Sequence, residues 1–464
     1  MPTEILYRYS ERSSYVDGEG LRLETSAPSR VAGASDSPVF FSGFVEHPAA
    51  VAAALLVVAR TARQRFFTPA AALAVLVRDP VVTSTPEGLR FESFSACGGV
   101  YARLDLDASA LDSEVAATGV TNVDVGEDLR AALAGITGSE PLHLSVGASE
   151  LRVETLDAEV VEKRVPLPAR WLRGFAEAQA AAARMAPRAR LDGAAARRFI
   201  AALPAGGARA VSWATPSIDG LRLATRPSPG AVCVAGPERL RLLAPVLRFA
   251  TGLTGYGMAA DVDSAPLASM WTADLPGARL TIGLSPETAR GFSGEGGVLL
   301  DLAHPDAHDD AERVGDLLSM DARIDADRIA EQLGLPSDRI GRALTVLAVS
   351  GQVGYDLATG AYFHRPLPFR ATAMLGHNPR LRTAQKLVAA GGIRLGEGGA
   401  VLVRSGDADH VVRLSSPPAV DVALGATACA GDECSCPWFG AHRGTRGPCA
   451  HVLAARIVVE PDAS

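Results

Sequence analysis

Lysine is almost absent from this 464-residue sequence: it supplies only two of the 45 basic residues, Lys163 and Lys386, and arginine supplies the rest. A phosphate-binding loop of the Walker type needs a lysine directly after a glycine, and neither lysine follows one. The sequence therefore predicts no nucleotide cofactor, even beside the glycine-rich stretch 291–297. Abundant alanine, glycine and proline beside arginine are typical of a GC-rich bacterial genome.

Excess positive charge and long apolar runs are also missing. The formal net charge of −7 argues against a protein that coats nucleic acid non-specifically, although it leaves room for a local basic surface. The longest apolar run, Ala49–Ala59, falls well short of the ~20 residues that cross a bilayer. No basic stretch followed by an apolar one opens the sequence, so we expect no signal peptide. We therefore expect a cytoplasmic protein without a membrane partner.

Cysteine is scarce, and the familiar catalytic motifs are missing. Six cysteines in a chain this long do not indicate a disulfide framework. The sequence contains no Gly-x-Ser-x-Gly, His-Glu-x-x-His or dinucleotide-binding fingerprint. Cys97 lies at a predicted turn without a placed histidine, and His304 and His308 indicate a solvated loop before a helix rather than a metal site. We predict a non-enzymatic protein, although residues 205–305 show no readable motif and leave an unrecognised enzyme site open.

The cysteines near residue 440 have the spacing of a metal site. Cys434-Ser-Cys436 is followed, after twelve residues, by Cys449-Ala-His451. Zinc prefers four nitrogen or sulfur ligands in a tetrahedron, with Zn–S distances of ~2.3 Å. A Cys-x-Cys pair on extended chain places both sulfurs on one side, and a helix beginning near Cys449 favours its thiolate. Because four protein ligands leave no open position, we predict one structural zinc ion.

These residues resemble the SWIM zinc finger, which has Cys-x-Cys, a variable spacer and Cys-x-His. The flanks agree, since Pro437 and Trp438 follow the first pair and Gly447-Pro448 precedes the second. The resemblance is confined to this segment and implies a finger that binds nucleic acid or proteins, with no activity of its own. Cys429 is a fifth thiol nearby that could replace a ligand, but its place outside the pattern favours a small buried residue.

Candidate contact residues lie between the two ligand pairs. Trp438 and His442 are close in sequence to Arg443 and Arg446. An aromatic side chain beside arginines can stack on bases and neutralise phosphates. The same residues could equally form a protein contact, or Trp438 could simply cover the metal core.

Residues 309–365 have the pattern of a winged helix. Three predicted helices are followed by a predicted two-stranded wing: Ala311–Met320, Asp325–Leu333 capped by Asp325, Asp338–Ser350 capped by Ser337, and then 352–355 with 361–364. Arg339 and Arg342 lie on the outer face of the third helix, where such residues can reach a DNA groove. The region has ten acidic residues and six arginines, a balance that is poor for phosphate contacts and also permits a solvated face or a protein partner.

Residues 38–165 are predicted as strands with two helices. A strand at Pro38–Val45 leads into a helix at Pro48–Arg65, more strands follow, and a helix at Glu127–Ile136 precedes three closing strands. Alternating apolar and polar residues in Gly99–Leu106 predict a strand buried on one face only. The order resembles one domain of a sliding clamp, from which no partner-binding residues can be transferred. A ring would need several such units, and the sequence shows one clear copy.

A weak internal repeat favours a second, related unit. Gly20–Thr25 and Gly220–Thr225 read Gly-Leu-Arg-Leu-x-Thr, and Gly88–Ser93 is a shorter echo. Segments of this kind also recur by chance, so duplication is one of two interpretations.

Taken together, these patterns predict a multidomain α+β protein. Its predicted parts are a β-rich, clamp-like domain at 1–165, a helical linker at 166–204, a second α+β unit at 205–305, a winged helix at 309–365, and a β-hairpin with a SWIM finger at 380–464. We expect a zinc-binding interaction protein whose finger and winged helix contact DNA. The alternative is an adaptor that recruits protein partners through the same modules in a bacterial multi-protein system.

Overall fold

The structure is a computed structural model. It describes residues 38–66, 80–165, 169–206, 210–292, 296, 298–318, 323–365, 378–415, 431–444 and 446–459, and the backbone of four short strands before residue 28. Two compact units are present. Unit one contains residues 1–174, 185–292 and 365–368, and unit two contains residues 175–184, 293–364 and 369–464.

The four short strands form two antiparallel pairs. They are β1 (Arg8–Tyr9), β2 (Ser14–Val16), β3 (Gly20–Arg22) and β4 (Ser26–Ala27). β2 and β3 form a hairpin, and β1 pairs with β4.

The first half of unit one opens with a strand and an alanine-rich helix. β5 (Val39–Val45) leads into α1 (Pro48–Arg63), which begins with a proline where a missing amide hydrogen costs nothing. Small alanines and valines let α1 bury most of its length against neighbouring strands and α2. The elements that follow are β6 (Val81–Thr85), β7 (Gly88–Phe94), β8 (Val100–Asp107), a 3-10 turn (Ala108–Ala110), β9 (Leu111–Ala116), β10 (Gly119–Asn122), α2 (Glu127–Gly135), β11 (His143–Gly147), β12 (Glu150–Glu154) and β13 (Glu159–Lys163).

The second half of unit one begins after helix α3 (Ala169–Ala182). The span predicted as a helical linker contains a strand, β14 (Ala186–Asp192), as well as helices. Asp192 caps the next helix by accepting a hydrogen bond from the Ala195 amide (2.8 Å). The remaining elements are α4 (Gly193–Ala201), β15 (Val211–Ser217), β16 (Gly220–Ala224), β17 (Val232–Ala235), a 3-10 helix (Pro237–Val246), β18 (Gly252–Gly257), β19 (Ser269–Leu275) and β20 (Ala278–Leu284).

Both halves of unit one use the same opening and closing order. Each begins with a strand followed by a helix, and each ends with three antiparallel strands whose first member pairs with the opening strand. The sheets have the strand orders β13-β12-β11-β5-β9, β10-β6-β7-β8-β20-β19-β18-β14 and β16-β15-β17. The halves meet where β8 pairs with β20 in the eight-stranded sheet. One apolar core extends across this junction.

The repeated Gly-Leu-Arg segments occupy equivalent places in three hairpins. Gly20, Gly88 and Gly220 are each the first residue of the second strand of a β-hairpin. The backbone φ is 140° at Gly88 and 120° at Gly220, a conformation that glycine adopts without strain. The echo at Gly88 therefore matches Gly220 in topology, since β6–β7 and β15–β16 occupy corresponding positions in the two halves.

Strand β8 is buried on both faces, so the prediction of a half-buried strand was wrong. It lies between β7 and β20, and its polar residues form ion pairs inside unit one. Asp105 accepts from Arg90 Nε (2.6 Å) and from Arg103 Nε (2.8 Å to Oδ2). The alternation of apolar and polar residues correctly predicted which side chains share a face of β8. The polar face is nevertheless buried, because charged side chains that form ion pairs can be buried.

A buried ion pair of unit one adjoins this strand. The Glu92 carboxylate accepts from Arg365 Nη1 (2.6 Å) and from the Tyr101 hydroxyl (2.6 Å), and the two charged residues are fully buried. Burial by itself would raise the pKa of Glu92, but the surrounding arginines, Arg365 first, outweigh it and hold that pKa below its ordinary value.

Unit two begins with helices and a hairpin. These are α5 (Leu299–Ala303), α6 (Ala307–Leu317), α7 (Ala326–Leu333), α8 (Ser337–Val349), β21 (Val353–Asp356) and β22 (Ala361–His364). Asp325 caps α7 as predicted, accepting from the Arg328 amide (3.0 Å). The cap predicted at Ser337 was wrong, because Pro336 takes the N-cap position and leaves no side-chain bond. His304 and His308 lie at the end of α5 and in α6, not in one loop.

The second part of unit two contains the predicted metal ligands. Its elements are α9 (Pro379–Ala389), β23 (Ile393–Leu395), a 3-10 turn (Glu397–Gly399), β24 (Val401–Ser405), β25 (Ala408–Arg413), β26 (Glu433–Cys434), α10 (Pro437–His442) and α11 (Ala450–Val459). The four strands form one sheet in chain order, and α9 and α11 pack together. The described parts of the chain contain no helix that is both long enough and apolar enough to cross a membrane.

Candidate metal centre

The four predicted ligands converge in the structure. Cys434 ends β26, Cys436 is the N-cap of α10, Cys449 directly precedes α11, and His451 lies in its first turn. Their ligand atoms all lie within 4.8 Å of one another, with Cys434 Sγ 3.9 Å from His451 Nδ1. A tetrahedral zinc site with Zn–S bonds of ~2.3 Å has edges of about 3.8 Å, close to this separation. The group is buried and can hold one metal ion.

Two helix starts point backbone amides at the sulfurs. The Phe439 amide donates to Cys436 Sγ and the Val452 amide donates to Cys449 Sγ, each at 3.4 Å. Amide donors and the positive end of a helix both favour a thiolate over a thiol. The predicted helix start beside Cys449 is confirmed, and the second one at Cys436 was not predicted.

The thiols also interact with one another. A hydrogen bond shared with Cys434 lowers the pKa of Cys449 to about 4, and the same bond raises the pKa of Cys434 far above its ordinary value. Burial raises the pKa of Cys436. Since a thiolate is the ligand form, binding of a metal here would release the protons that the thiols still hold.

Arg380 fastens the loop between the ligand pairs. From α9, its Nη1 donates to the carbonyl oxygens of Arg446 and Pro448 (3.0 Å to Pro448), and its guanidinium lies 5.1 Å from the centre of the Trp438 ring. The Trp438 ring also meets His442 edge to face at 4.7 Å. Part of the Trp438 ring therefore packs against residues of the protein itself, which favours a role of that part in stabilising the loop.

Two further contacts surround the ligands and were not predicted. His410 on β25 packs its ring against the ring of His451, with centroids 4.2 Å apart. Asp432 and Arg456 form a buried ion pair beside Cys434 and on the helix of His451. The sequence offered one clue, since Arg456 lies in a helix that is apolar apart from His451, and a buried arginine needs an acidic partner.

The two loop arginines differ in exposure. Arg443 ends α10 in a left-handed conformation (φ 43°) and is exposed, whereas Arg446 is half-buried. Cys429 lies outside the described residues, as does most of the glycine-rich stretch 291–297.

The arginines predicted for a DNA groove have partners inside unit two. Arg339 donates to both carboxylate oxygens of the buried Asp310 (2.7 and 2.9 Å), and Arg342 lies 2.9 Å from Asp338. Their contact with DNA remains a prediction. Among the described residues, His304 and His308 belong to no group with metal-ligand geometry.

Comparison with known proteins adds distant structural neighbours only. No protein-family model matches the chain, and no curated protein matches its sequence. The proliferating cellular nuclear antigen of Entamoeba histolytica is similar at 11% identity and a TM-score of 0.33, over 54% of this chain and 100% of its own. The A. fulgidus PCNA bound to the C-terminal region of FEN-1 is similar at 12% identity and a TM-score of 0.33, over 53% of this chain and 97% of its own. These are the sliding clamps that the order of elements resembles, but a likeness this distant carries no argument about this chain.

Proposed function

We propose that this chain is a non-enzymatic, zinc-binding interaction protein whose SWIM-type finger contacts DNA. The observation that carries the proposal is the buried Cys434, Cys436, Cys449 and His451 group, which offers four soft or borderline donors and no open position. Such a set suits zinc in a structural role, where the ion fixes a surface instead of performing chemistry.

Charge supports DNA as the partner of this surface. The described residues from 378 to 459 contain nine basic and five acidic side chains, although the whole chain is acidic. Arg394 and Arg404 share Asp409 as a partner, which reduces their availability. Arg382, Lys386 and Arg443 are exposed and have no ion-pair partner among the described residues, so they can neutralise phosphates.

The helices α6–α8 with the β21–β22 hairpin support a winged-helix assignment in a different role. The Ile324–Tyr362 bridge adds a third extended segment to the hairpin, as a wing needs. Because Arg339 is held by Asp310, this module is better suited to a protein partner than to phosphates. Unit one, with its duplicated strand order, would serve as the scaffold of a clamp-like protein.

A second candidate is an adaptor that binds only proteins. The acidic charge of the whole chain and the internal ion pairs of α8 favour it. It predicts that the basic residues of the finger meet acidic side chains instead of phosphates.

Fluorescence anisotropy of labelled single- and double-stranded DNA, with zinc-loaded protein at low and physiological salt, separates the candidates. We expect salt-sensitive binding that a zinc chelator abolishes. Arg443→Ala with Arg446→Ala should weaken it and reduce the log–log salt slope by ~0.9 for each phosphate that is no longer neutralised. Arg394→Ala with Arg404→Ala is the matched control, because Asp409 already pairs with both residues. No binding at low salt would refute DNA contact and leave the adaptor.

A further inference from the structure

A buried ion pair lies close in sequence to two of the metal ligands. Asp432 is 3% exposed and Arg456 is 9% exposed. The guanidinium donates from Nε to Oδ2 at 2.8 Å and from Nη2 to Oδ1 at 2.6 Å, a bidentate geometry. Ser415 donates to the same Oδ1 through its amide (3.0 Å) and its hydroxyl (2.9 Å). The carboxylate is thus fixed by four donors in one position.

The pair connects the two elements that bring Cys434 and His451 together. Asp432 precedes Cys434 by two residues, and Arg456 follows His451 by five on α11. Strand β26 is only two residues long, so its pairing with β25 supplies few bonds to hold Cys434 in place. A contact between this short strand and α11 that does not involve the metal is therefore important for the 3.9 Å approach of the two ligands.

We propose that the Asp432–Arg456 ion pair is a positioning device for the metal centre. It holds α11 against β26, so that Cys434 and His451 face one another before the metal binds. A ligand set that is already ordered loses less conformational entropy on binding, and its affinity rises accordingly. This inference depends on the metal centre alone and is independent of DNA contact.

The chemistry of the pair favours positioning over simple stability. A buried ion pair contributes little net stability compared with apolar residues of the same volume, because two charges must leave water. It does impose one geometry, since a bidentate fork tolerates little rotation. Apart from His451, the other residues of α11 are apolar, so an apolar residue at 456 would bury as easily but would not fix the position of the helix along β26.

The test is a competitive Co²⁺ and Zn²⁺ titration of the full chain, followed by the thiolate and d–d absorption of the cobalt form. We expect Asp432→Asn and Arg456→Met each to weaken metal affinity by ~10- to 100-fold, the range found for residues that orient metal ligands. The double variant should lose little more than either single one, because both remove the same contact. Arg456→Lys keeps the positive charge but cannot donate two parallel hydrogen bonds, so its metal affinity should lie between that of these variants and that of the natural protein.

Asp310→Asn is the matched control. Asp310, like Asp432, is a buried carboxylate that accepts two hydrogen bonds from one arginine, here Arg339. It lies in the same unit but on α6, which contains none of the four metal ligands. An equal loss of affinity in Asp310→Asn would overturn the proposal, since it would reveal a general effect on unit two. Unchanged affinity in both Asp432→Asn and Arg456→Met would overturn it as well.

Ser415→Ala covers the case in which the stronger variants fail to fold. It removes the hydroxyl that donates to Asp432 (2.9 Å) and accepts from Arg456 Nη2 (3.4 Å), and it leaves the two bonds of the ion pair in place. We expect a smaller but measurable loss of cobalt affinity, with the circular dichroism of the natural protein. Full affinity in a folded Ser415→Ala, together with unfolded Asp432→Asn, would show that the pair acts on folding only and would refute positioning.

Discussion

Replacing Arg380 by alanine should loosen the loop between the ligand pairs while the metal stays bound. Arg380 donates to two carbonyl oxygens of that loop and lies over Trp438. The Pro448 residue is buried, so its carbonyl loses a charged donor, at a cost of ~1.5–3 kcal/mol. Arg446 is half-buried, so its carbonyl oxygen can bind water instead, and loss of that bond costs less free energy. Removal of the cation–π interaction adds ~0.5–1 kcal/mol, which gives a total of about 2–4 kcal/mol.

Hydrogen exchange of the loop amides measures this change directly. The Gly447 amide donates to Gly444 O at 2.9 Å and reports on opening of the loop. A loss of about 2–4 kcal/mol should accelerate its exchange roughly 30- to 1,000-fold. Zinc content should remain the same, because the two bonds that Arg380 donates to the loop go to backbone carbonyl oxygens and not to ligand side chains.

Arg382→Ala on the same helix is the matched control. The Arg382 side chain is exposed and has no partner among the described residues, so its removal should change local stability by less than ~0.5 kcal/mol. If Gly447 exchanges at the same rate in Arg380→Ala as in Arg382→Ala, the metal alone holds the loop, and the role assigned to Arg380 is refuted.

Two further predictions concern the metal and the pH dependence of unit one. Cys436→Ala should lower the bound zinc measured by atomic emission, because three ligands remain; an unchanged zinc content would disprove the ligand assignment. The free energy of unfolding of unit one in urea should fall as the pH drops below 4.5, the ordinary pKa of a glutamate side chain. Folding lowers the pKa of Glu92, so this carboxyl stabilises the folded state only while it is ionised. Glu92→Gln should flatten that dependence and cost ~3–5 kcal/mol at neutral pH, because Arg365 then loses its carboxylate partner; an unaltered pH profile would count against the pair.

The sequence predicted those parts of the protein that depend on local pattern. The group of four residues that can hold a metal ion could be predicted, because zinc chemistry restricts residue type and spacing over a few positions. The strands and helices of residues 38–165 followed from alternation and caps, and α1 ends only two residues before its predicted end at Arg65. β9 was missed, because its polar residues Asp112, Ser113 and Glu114 hide any alternation.

The parts that could not be predicted depend on contacts between distant residues. The β7–β8 hairpin places Arg90 opposite Asp105, but nothing near β8 indicates that this polar face lies buried, since β8 also pairs with β20 far along the chain. The same reason applies to Arg339, which looks like an exposed helix residue until α6 places Asp310 beside it. The Asp432–Arg456 pair likewise joins residues 24 positions apart, so the apolar neighbours of Arg456 indicate that it needs an acidic partner but not which one.

The junction between β8 and β20 has a consequence for synthesis of the protein. Leu106 and Ala278, which lie opposite each other, are roughly 170 residues apart in the chain. During translation β8 is made long before β20. Until β20 is made, the backbone amide and carbonyl groups on that edge of β8 have no hydrogen-bond partners from β20. Pairings of such high contact order form slowly, and the nascent first half is then open to strand pairing with other chains. The first half of unit one therefore gains its last neighbouring strand only after the chain has been made as far as Leu284.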